Sequence, residues 1–267
     1  MKELTWYYPT SLEEAAELVR QPNVAPHGGG TGLLRTGIDR FAALIDLQRL
    51  PLKYLKWDGD TVEIGAGLTY AQVIEGLRDR DPQSILLNSL SRAAATGLRN
   101  RITIGGSAAM APIWSDLLGP LIALDAEVSL IGAHEGWFRL SAYVNDRELH
   151  QGTLVTGIRF QRNGWQGHYV RAAATQFDYA SFSLTLLLKK QDDGTIEDAR
   201  LVVVGNKKRF SRLTAQEDQL KGQRIGALDP GRIAAGVDVE FADKTIGSAG
   251  YVRYLFGVEF ERALETM

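Results

Sequence analysis

Apolar residues follow two different periods along this chain, and segments with the two periods alternate. Short apolar or alternating runs predict strands at 4–8, 41–47, 61–66, 127–132, 153–160, 168–174, 181–189 and 199–204. Apolar residues three and four positions apart predict helices at 84–98, 115–126, 210–220, 230–235 and 248–264. Ser11 with Glu14 and Thr69 with Gln72 have the spacing of capping boxes, which predicts two further helix starts. The mixed order predicts an α+β fold.

The polar, glycine-rich segment 161–167 is the best candidate for a domain boundary. It predicts one α+β domain over residues 1–163 and a smaller one over residues 168–267.

Composition excludes several classes of function. The chain has no cysteine, so it cannot form disulfides, carry a cysteine nucleophile or bind an iron–sulfur cluster through cysteines. Its four histidines lack the spacing of metal ligands, and we expect no metal site. A net charge of −2 does not favour nucleic acid or an anionic membrane as partner. No apolar run could span a bilayer, and the first twenty residues do not resemble a signal peptide, so we expect a cytoplasmic protein.

Two glycine clusters, at 28–32 and within 99–107, carry the candidate chemistry. Grouped glycines let a backbone turn sharply and direct several N–H groups at one anion, so the pair suggests a pyrophosphate held from two sides. Leu33 breaks the GxGxxG spacing of a Rossmann site, and neither cluster ends in the Gly-Lys-Ser/Thr of a P-loop. Each cluster taken alone is more typical of a tight turn, and it is the pair that favours a phosphate site.

These motifs resemble those of a known family. Gly-Gly-Gly-Thr-Gly-Leu-Leu at 28–34 is similar to the AGGTDLL loop of the FAD-binding subunits of molybdenum hydroxylases, the xanthine dehydrogenase and carbon monoxide dehydrogenase family. The segment 99–107 resembles the family's RNxxTIGGN or TIGGS signature, and 121–128 matches its LLALDAEV segment. The segment 248–255 resembles the family's SAxYRRHL helix, so the resemblance covers nearly the whole chain in order.

The resemblance implies an FAD-binding domain of two α+β subdomains, of the vanillyl-alcohol-oxidase (PCMH) type, followed by a small C-terminal α/β domain. It implies FAD as the cofactor, with backbone amides of both glycine loops at the pyrophosphate and Asp116 at ribose hydroxyls. An ordinary surface or N-cap role for Asp116 is the alternative. The loop residues that it assigns to FAD are Gly28, Gly29, Gly30, Thr31, Gly32, Leu33, Thr103, Ile104, Gly105, Gly106 and Ser107.

In the second domain, the resemblance places Arg171, Asp178 and Tyr179 near the flavin ring. Tyr179 as a core or interface residue is an equally good interpretation. The sequence departs from the family at four places. Gly32 replaces a common aspartate, and Ser107 replaces the commoner asparagine, although serine also occurs in the family. The segment 111–115 is unlike the usual ASPAGD pattern, and 172–176 lacks the expected basic residues. These departures leave the electron acceptor open.

The leading hypothesis is an oxidoreductase subunit that transfers electrons and contains no catalytic side chain of its own. The resemblance implies partner subunits with [2Fe–2S] clusters and a molybdopterin cofactor, NAD or another acceptor, and a dimer of heterotrimers. Two alternatives stay open: a stand-alone FAD oxidase or dehydrogenase, and a scaffold subunit that has lost FAD.

Overall fold

The structure, a computed structural model, describes residues 4–267. Helices hold 34% and strands 29% of the residues, which confirms the mixed fold. The chain divides into two compact units. The first comprises the described residues up to Arg80 with Ala95–Ala111 and Asp125–Gln161; the second comprises Asp81–Ala94, Pro112–Leu124 and Arg162–Met267. The domain ranges 1–163 and 168–267 stay a prediction, and residues 1–3 of that prediction lie outside the described part.

The described residues form twelve strands and eleven α-helices. The strands are β1 Thr5–Tyr7, β2 Val24–His27, β3 Ala43–Asp46, β4 Leu55–Asp58, β5 Thr61–Gly65, β6 Glu127–Gly132, β7 Gly136–Arg139, β8 Thr153–Gln161, β9 Gln166–Ala172, β10 Phe182–Lys190, β11 Ile196–Asn206 and β12 Arg209–Arg212. The helices are α1 Leu12–Val19, α2 Thr31–Thr36, α3 Tyr70–Arg78, α4 Ile85–Arg92, α5 Thr96–Arg99, α6 Ile104–Met110, α7 Leu118–Ala123, α8 Leu140–Tyr143, α9 Thr214–Leu220, α10 Pro230–Ala235 and α11 Ala249–Thr266.

The first unit contains two sheets. One is parallel with strand order β1-β3-β2, and the other is antiparallel with order β4-β5-β8-β6-β7. Helix α1 packs its apolar face, with Ala15 and Val19, onto Ile45 of β3 and Leu154 of β8. Because β2 pairs with the buried strand β3, the loop that follows β2 leaves the sheet from a fixed point.

The second unit is built on an antiparallel sheet of order β12-β11-β10-β9. One face of this sheet packs against α11, whose Phe256 and Phe260 are fully buried beside Phe182 of β10. Helix α7 packs on β10 and β11. Gly119 allows this close approach, since a Cβ there would lie 3.1 Å from Thr185 Oγ1 and from Val204 Cγ2.

Three predicted helices differ from the observed ones. The predicted helix 84–98 is interrupted because Ala94 adopts a left-handed φ of 44°, which separates α4 from α5. In the predicted helix 115–126, Ser115 Oγ accepts the N–H groups of Leu117 and Leu118 in a turn, and only α7 is helical. Phe210, predicted to be helical, pairs with Val204 in the β11–β12 ladder, so that helix begins at Thr214.

Candidate functional site

The first glycine loop, residues 28–33, connects β2 to α2 in the first unit. Strand β2 ends at His27 and α2 begins at Thr31. Gly30 precedes the helix with a φ of +75°, a conformation that glycine adopts without steric cost. A Cβ at this position would also lie 2.7 Å from His27 Nε2. The loop conformation therefore depends on glycine at position 30.

The main-chain N–H groups of the first glycine loop are open. Within residues 4–267, the N–H groups of residues 28–33 donate to no other atom of the chain, whereas Leu34 N donates to Gly30 O at 3.0 Å. Unsatisfied backbone donors are costly unless water or a ligand accepts from them. Six consecutive donors in a glycine-rich turn are suited to binding the oxygens of an anion.

The second glycine loop, residues 103–107, begins α6, and its main-chain N–H groups, unlike those of the first loop, have acceptors. Thr103 is the N-cap, and its Oγ1 accepts the N–H of Gly106 at 3.2 Å. The N–H groups of Ile104 and Gly105 donate to Leu68 O and Ala66 O, and that of Ser107 to Thr103 O. All four donors of residues 104–107 therefore have partners within the first unit.

The two glycine loops lie in direct contact. A Cβ on Gly29 would lie 1.6 Å from Arg101 O, so a larger residue at position 29 would force the backbones apart. A Cβ on Gly28 would lie 3.0 Å from Thr103 Oγ1. Arg101 returns the contact through its side chain, with Nε and Nη2 donating to Gly29 O at 3.3 and 3.1 Å. The structure thus brings together, within the first unit, the two segments that the sequence analysis pairs as one candidate site.

Gly32 packs closely against α6. A Cβ there would lie 2.5 Å from Met110 Sδ, so the Met110 side chain would have to move to make room for a larger residue. Ser107 is buried and accepts a 2.9 Å hydrogen bond from the Tyr70 hydroxyl.

Sequence reasoning missed Arg101, Met110 and Tyr70 at these loops. Arg101 lies inside the quoted 99–107 signature, where its cationic side chain was a detectable signal. The contacts of Met110 and Tyr70 depend on tertiary packing, and no sequence pattern indicated them.

The other predicted site residues lie in the second unit, where Asp116, Tyr169 and Arg171 form a buried group that we call the Asp116 cluster. Asp116 Oδ1 accepts from the Tyr169 hydroxyl at 2.6 Å and from Arg171 Nε at 3.0 Å. The carboxylate and guanidinium side chains are each only 8% exposed. Burial raises the pKa of Asp116 above its usual range, and the Arg171 charge and the Tyr169 hydrogen bond partly offset this effect. Burial, together with the Asp116 charge, raises the pKa of Tyr169 well above its usual value.

Asp178 and Tyr179 lie on the aromatic loop, residues 173–180, which joins β9 to β10. Asp178 Oδ2 accepts the N–H of Thr175 at 3.0 Å, which makes a local turn. The ring of Tyr179 lies 4.9 Å, centroid to centroid, from that of Trp114, and the Tyr179 side chain is 59% exposed. Tyr179 is therefore a surface residue of the second unit and not part of its core.

Besides the glycine loops and the Asp116 cluster, neither of two further kinds of site, a metal site or a membrane-spanning helix, is present among the described residues. Residues 4–267 hold no group of three or more histidine, aspartate or glutamate side chains arranged to bind a metal ion. None of the helices among these residues is both long and apolar enough to cross a bilayer.

Comparison with curated proteins finds relatives among oxidoreductase subunits. The chain is 31% identical over 137 residues to the nicotinate dehydrogenase FAD-subunit of Eubacterium barkeri, an alignment that covers 49% of this chain and 46% of that protein. It thus spans about half the length of that relative. It is 26% identical to the carbon monoxide dehydrogenase medium chain of Hydrogenophaga pseudoflava, over 97% of this chain and 95% of the relative.

A solved structure has the same fold. The chain aligns with quinoline 2-oxidoreductase from Pseudomonas putida 86 with a TM-score of 0.88 and 20% identity, covering 99% of this chain and 96% of that one. The sequence profile of a family described as the FAD binding domain in molybdopterin dehydrogenase matches residues 2–160, more than half of the chain and the whole of both glycine loops. The protein therefore belongs to the family of FAD-binding domains of molybdopterin dehydrogenases.

Proposed function

We propose that the first glycine loop holds the pyrophosphate of FAD. The observation that supports this most strongly is the run of six N–H groups at residues 28–33 without an acceptor in the described chain. A pyrophosphate offers several oxygen acceptors close together, and a glycine-rich turn lets the backbone approach them. The Arg101 guanidinium on Gly29 O adds a positive charge at the same loop.

The two loops would contribute in different ways. Residues 28–33 would donate through the main chain and through the Thr31 hydroxyl. Since the N–H groups of residues 104–107 already have partners, the second loop would contribute the Thr103 hydroxyl and the position it gives to Gly29. In the second unit, we propose Tyr179 as the residue beside the flavin ring, with Asp116, Arg171 and Asp178 supporting the cofactor region. FAD, when bound, supplies the capacity to accept and pass on electrons, and the chain binds and orients it.

We further propose that the protein is an electron-transfer subunit of a molybdenum hydroxylase. Electrons would arrive from [2Fe–2S] clusters in a partner subunit and leave to NAD or another acceptor, while a second partner would carry the molybdenum cofactor. Two observations support this role. This chain has no cysteine to ligate an iron–sulfur cluster, and its relatives are named as an FAD-subunit and as a medium chain. A cytoplasmic dimer of heterotrimers is the assembly that the family resemblance suggests.

Purification tests the cofactor assignment. Protein isolated under native conditions should be yellow and should release FAD on denaturation. If the colourless protein instead failed to take up FAD on reconstitution, the FAD proposal would be wrong and the scaffold alternative favoured. For glycine variants of the loops, such as Gly29→Ala, the matched control is Gly97→Ala. A Cβ at position 97 meets open space, so Gly97→Ala should bind FAD like the wild type.

Co-purification tests the subunit proposal separately. Native isolation should recover an iron–sulfur chain and a molybdenum-containing chain with this protein. A flavin-loaded single chain that oxidises a substrate unaided would contradict the subunit proposal and favour a stand-alone oxidase.

A further inference from the structure

The aromatic loop holds two large side chains in solvent although few apolar contacts order it. Phe177 is 68% exposed and Tyr179 is 59% exposed. Residues 174–179 are all exposed. Loops with exposed backbone and little apolar burial open readily unless specific bonds fix them. The conformation of this loop therefore depends on specific hydrogen bonds.

Arg171 supplies those bonds from beneath the loop. It lies near the end of β9, and its Nη1 and Nη2 donate to the main-chain carbonyls of Gln176 and Asp178, the first at 3.4 Å. Its third nitrogen, Nε, donates to Asp116 Oδ1. One planar guanidinium thus joins two carbonyls of the aromatic loop to a carboxylate in segment 112–124, a geometry that lysine cannot reproduce.

The guanidinium itself is held in place. The Asp116 carboxylate that binds it also accepts from Tyr169, which is 1% exposed and lies two residues before Arg171 on β9. Because the ion pair is almost fully buried, losing one partner would leave the other charge without compensation. The Asp116 carboxylate is therefore already bound to Tyr169 and Arg171 within the second unit, whereas a carboxylate that binds ribose hydroxyls would have acceptor oxygens available to the ligand.

We propose that Arg171, oriented by Asp116 and Tyr169, is a positioning residue that fixes the aromatic loop and so sets where Tyr179 and Phe177 lie. The hydrogen bonds of Arg171 to Asp116, Gln176 and Asp178 support the positioning of the loop by themselves. Only the consequence for a flavin beside Tyr179 rests on the proposed function. Asp116 acts in this arrangement through Arg171.

Hydrogen exchange on the flavin-free full chain tests the proposal. In Arg171→Met, amides of residues 173–180 should exchange about tenfold faster or more, while those of β10 and β11 keep their wild-type rates. The indole N–H resonance of Trp114, assigned with Trp114→Phe, should shift in Arg171→Met because its contact with Tyr179 is released. A purely structural role in stability would accelerate exchange throughout the unit and leave no local signature.

Arg253→Met is the matched control. Arg253 also lies in the second unit and donates to a main-chain carbonyl, that of Val237 at 2.7 Å, which lies outside the aromatic loop, so loop exchange should stay at the wild-type rate. If Arg171→Met does not fold, Arg171→Lys should still show faster loop exchange, because one ammonium cannot serve all three acceptors. Wild-type loop exchange in a folded Arg171 variant, or equal acceleration in Arg253→Met, would overturn the proposal. FAD binding plays no part in the measurement, so a failure of the cofactor assignment would be seen separately.

Discussion

The two glycine loops have similar compositions but use glycine for different purposes. The first leaves its N–H groups without acceptors in the described chain, and glycine lets its backbone curve and lie against Arg101. In the second, each N–H of residues 104–107 has a partner, and glycine at position 105 lets α6 pack closely against Ala66. Open donors indicate a binding element, and satisfied donors indicate the element that supports it.

The Asp116 cluster follows the pattern of the second loop. Its carboxylate, hydroxyl and guanidinium are engaged with one another and with the aromatic loop. The predicted site residues thus fall into two sets. Residues 28–33 have main-chain N–H groups without acceptors in the described chain, whereas the second loop and the Asp116 cluster have polar groups already bonded within their own units.

Gly29→Ala should break the arrangement most severely. The new Cβ would lie 1.6 Å from Arg101 O, so the loops must separate. We expect a loss of more than about 3 kcal/mol in the free energy of unfolding, or at least tenfold weaker FAD binding, roughly 1.4 kcal/mol, in a variant that relaxes. Urea unfolding and flavin fluorescence titration measure the two effects. Wild-type stability and affinity together would show that the loops do not touch.

Gly105→Val tests the supporting role of the second loop. Its Cβ would lie 2.6 Å from the Cβ of Ala66, and overpacking of this kind costs about 1–3 kcal/mol. Chemical denaturation should show this loss, and any weakening of FAD binding should follow from displacement of α6. A well-folded variant with unchanged stability and unchanged FAD affinity would contradict the assignment.

A matched pair of threonine variants sharpens the comparison. Thr103→Val removes the N-cap bond to Gly106 and should cost about 1 kcal/mol of unfolding free energy. The Thr31 hydroxyl has no hydrogen bond to the chain within residues 4–267, so Thr31→Val should change stability by less than about 0.5 kcal/mol while weakening FAD binding. If both variants lost the same unfolding free energy and the same FAD affinity, the two loops would not differ in function.

The smallest effect concerns pH. Burial raises the folded-state pKa of Asp116 above its ordinary 3.8, so the folded protein takes up this proton at a higher pH than the unfolded chain. The contribution of Asp116 to the free energy of unfolding should therefore grow as pH falls from its folded-state pKa towards 3.8. Unfolding of wild type and Asp116→Asn across this range measures the difference. A difference that shrinks towards low pH would mean that the folded-state pKa of Asp116 is lowered.

Sequence reasoning succeeded where the physical cause is local. The capping box of Thr69 and Gln72 starts α3 as predicted, and Ser11 caps α1. It failed where tertiary contacts decide: Phe210 joins a strand because Val204 lies opposite, and no local pattern at 210–220 records that partner.

The same division holds at the site. Glycine grouping predicted anion-binding turns, and the family resemblance predicted FAD. Whether the N–H groups of a glycine loop have acceptors depends on segments distant in sequence, such as the one that provides Ala66 O and Leu68 O to the second loop. The pairing of Asp116 with Arg171 likewise joins residues far apart in sequence. No pattern within either loop encodes these partners.

Amide hydrogen exchange of the two glycine loops, with and without FAD, tests the central claim most directly. In flavin-free protein, residues 28–33 should exchange fast and residues 104–107 slowly. Saturation with FAD should slow exchange at residues 28–33 and leave residues 104–107 nearly unchanged. If bound FAD left residues 28–33 in fast exchange, the first glycine loop would not be the pyrophosphate site.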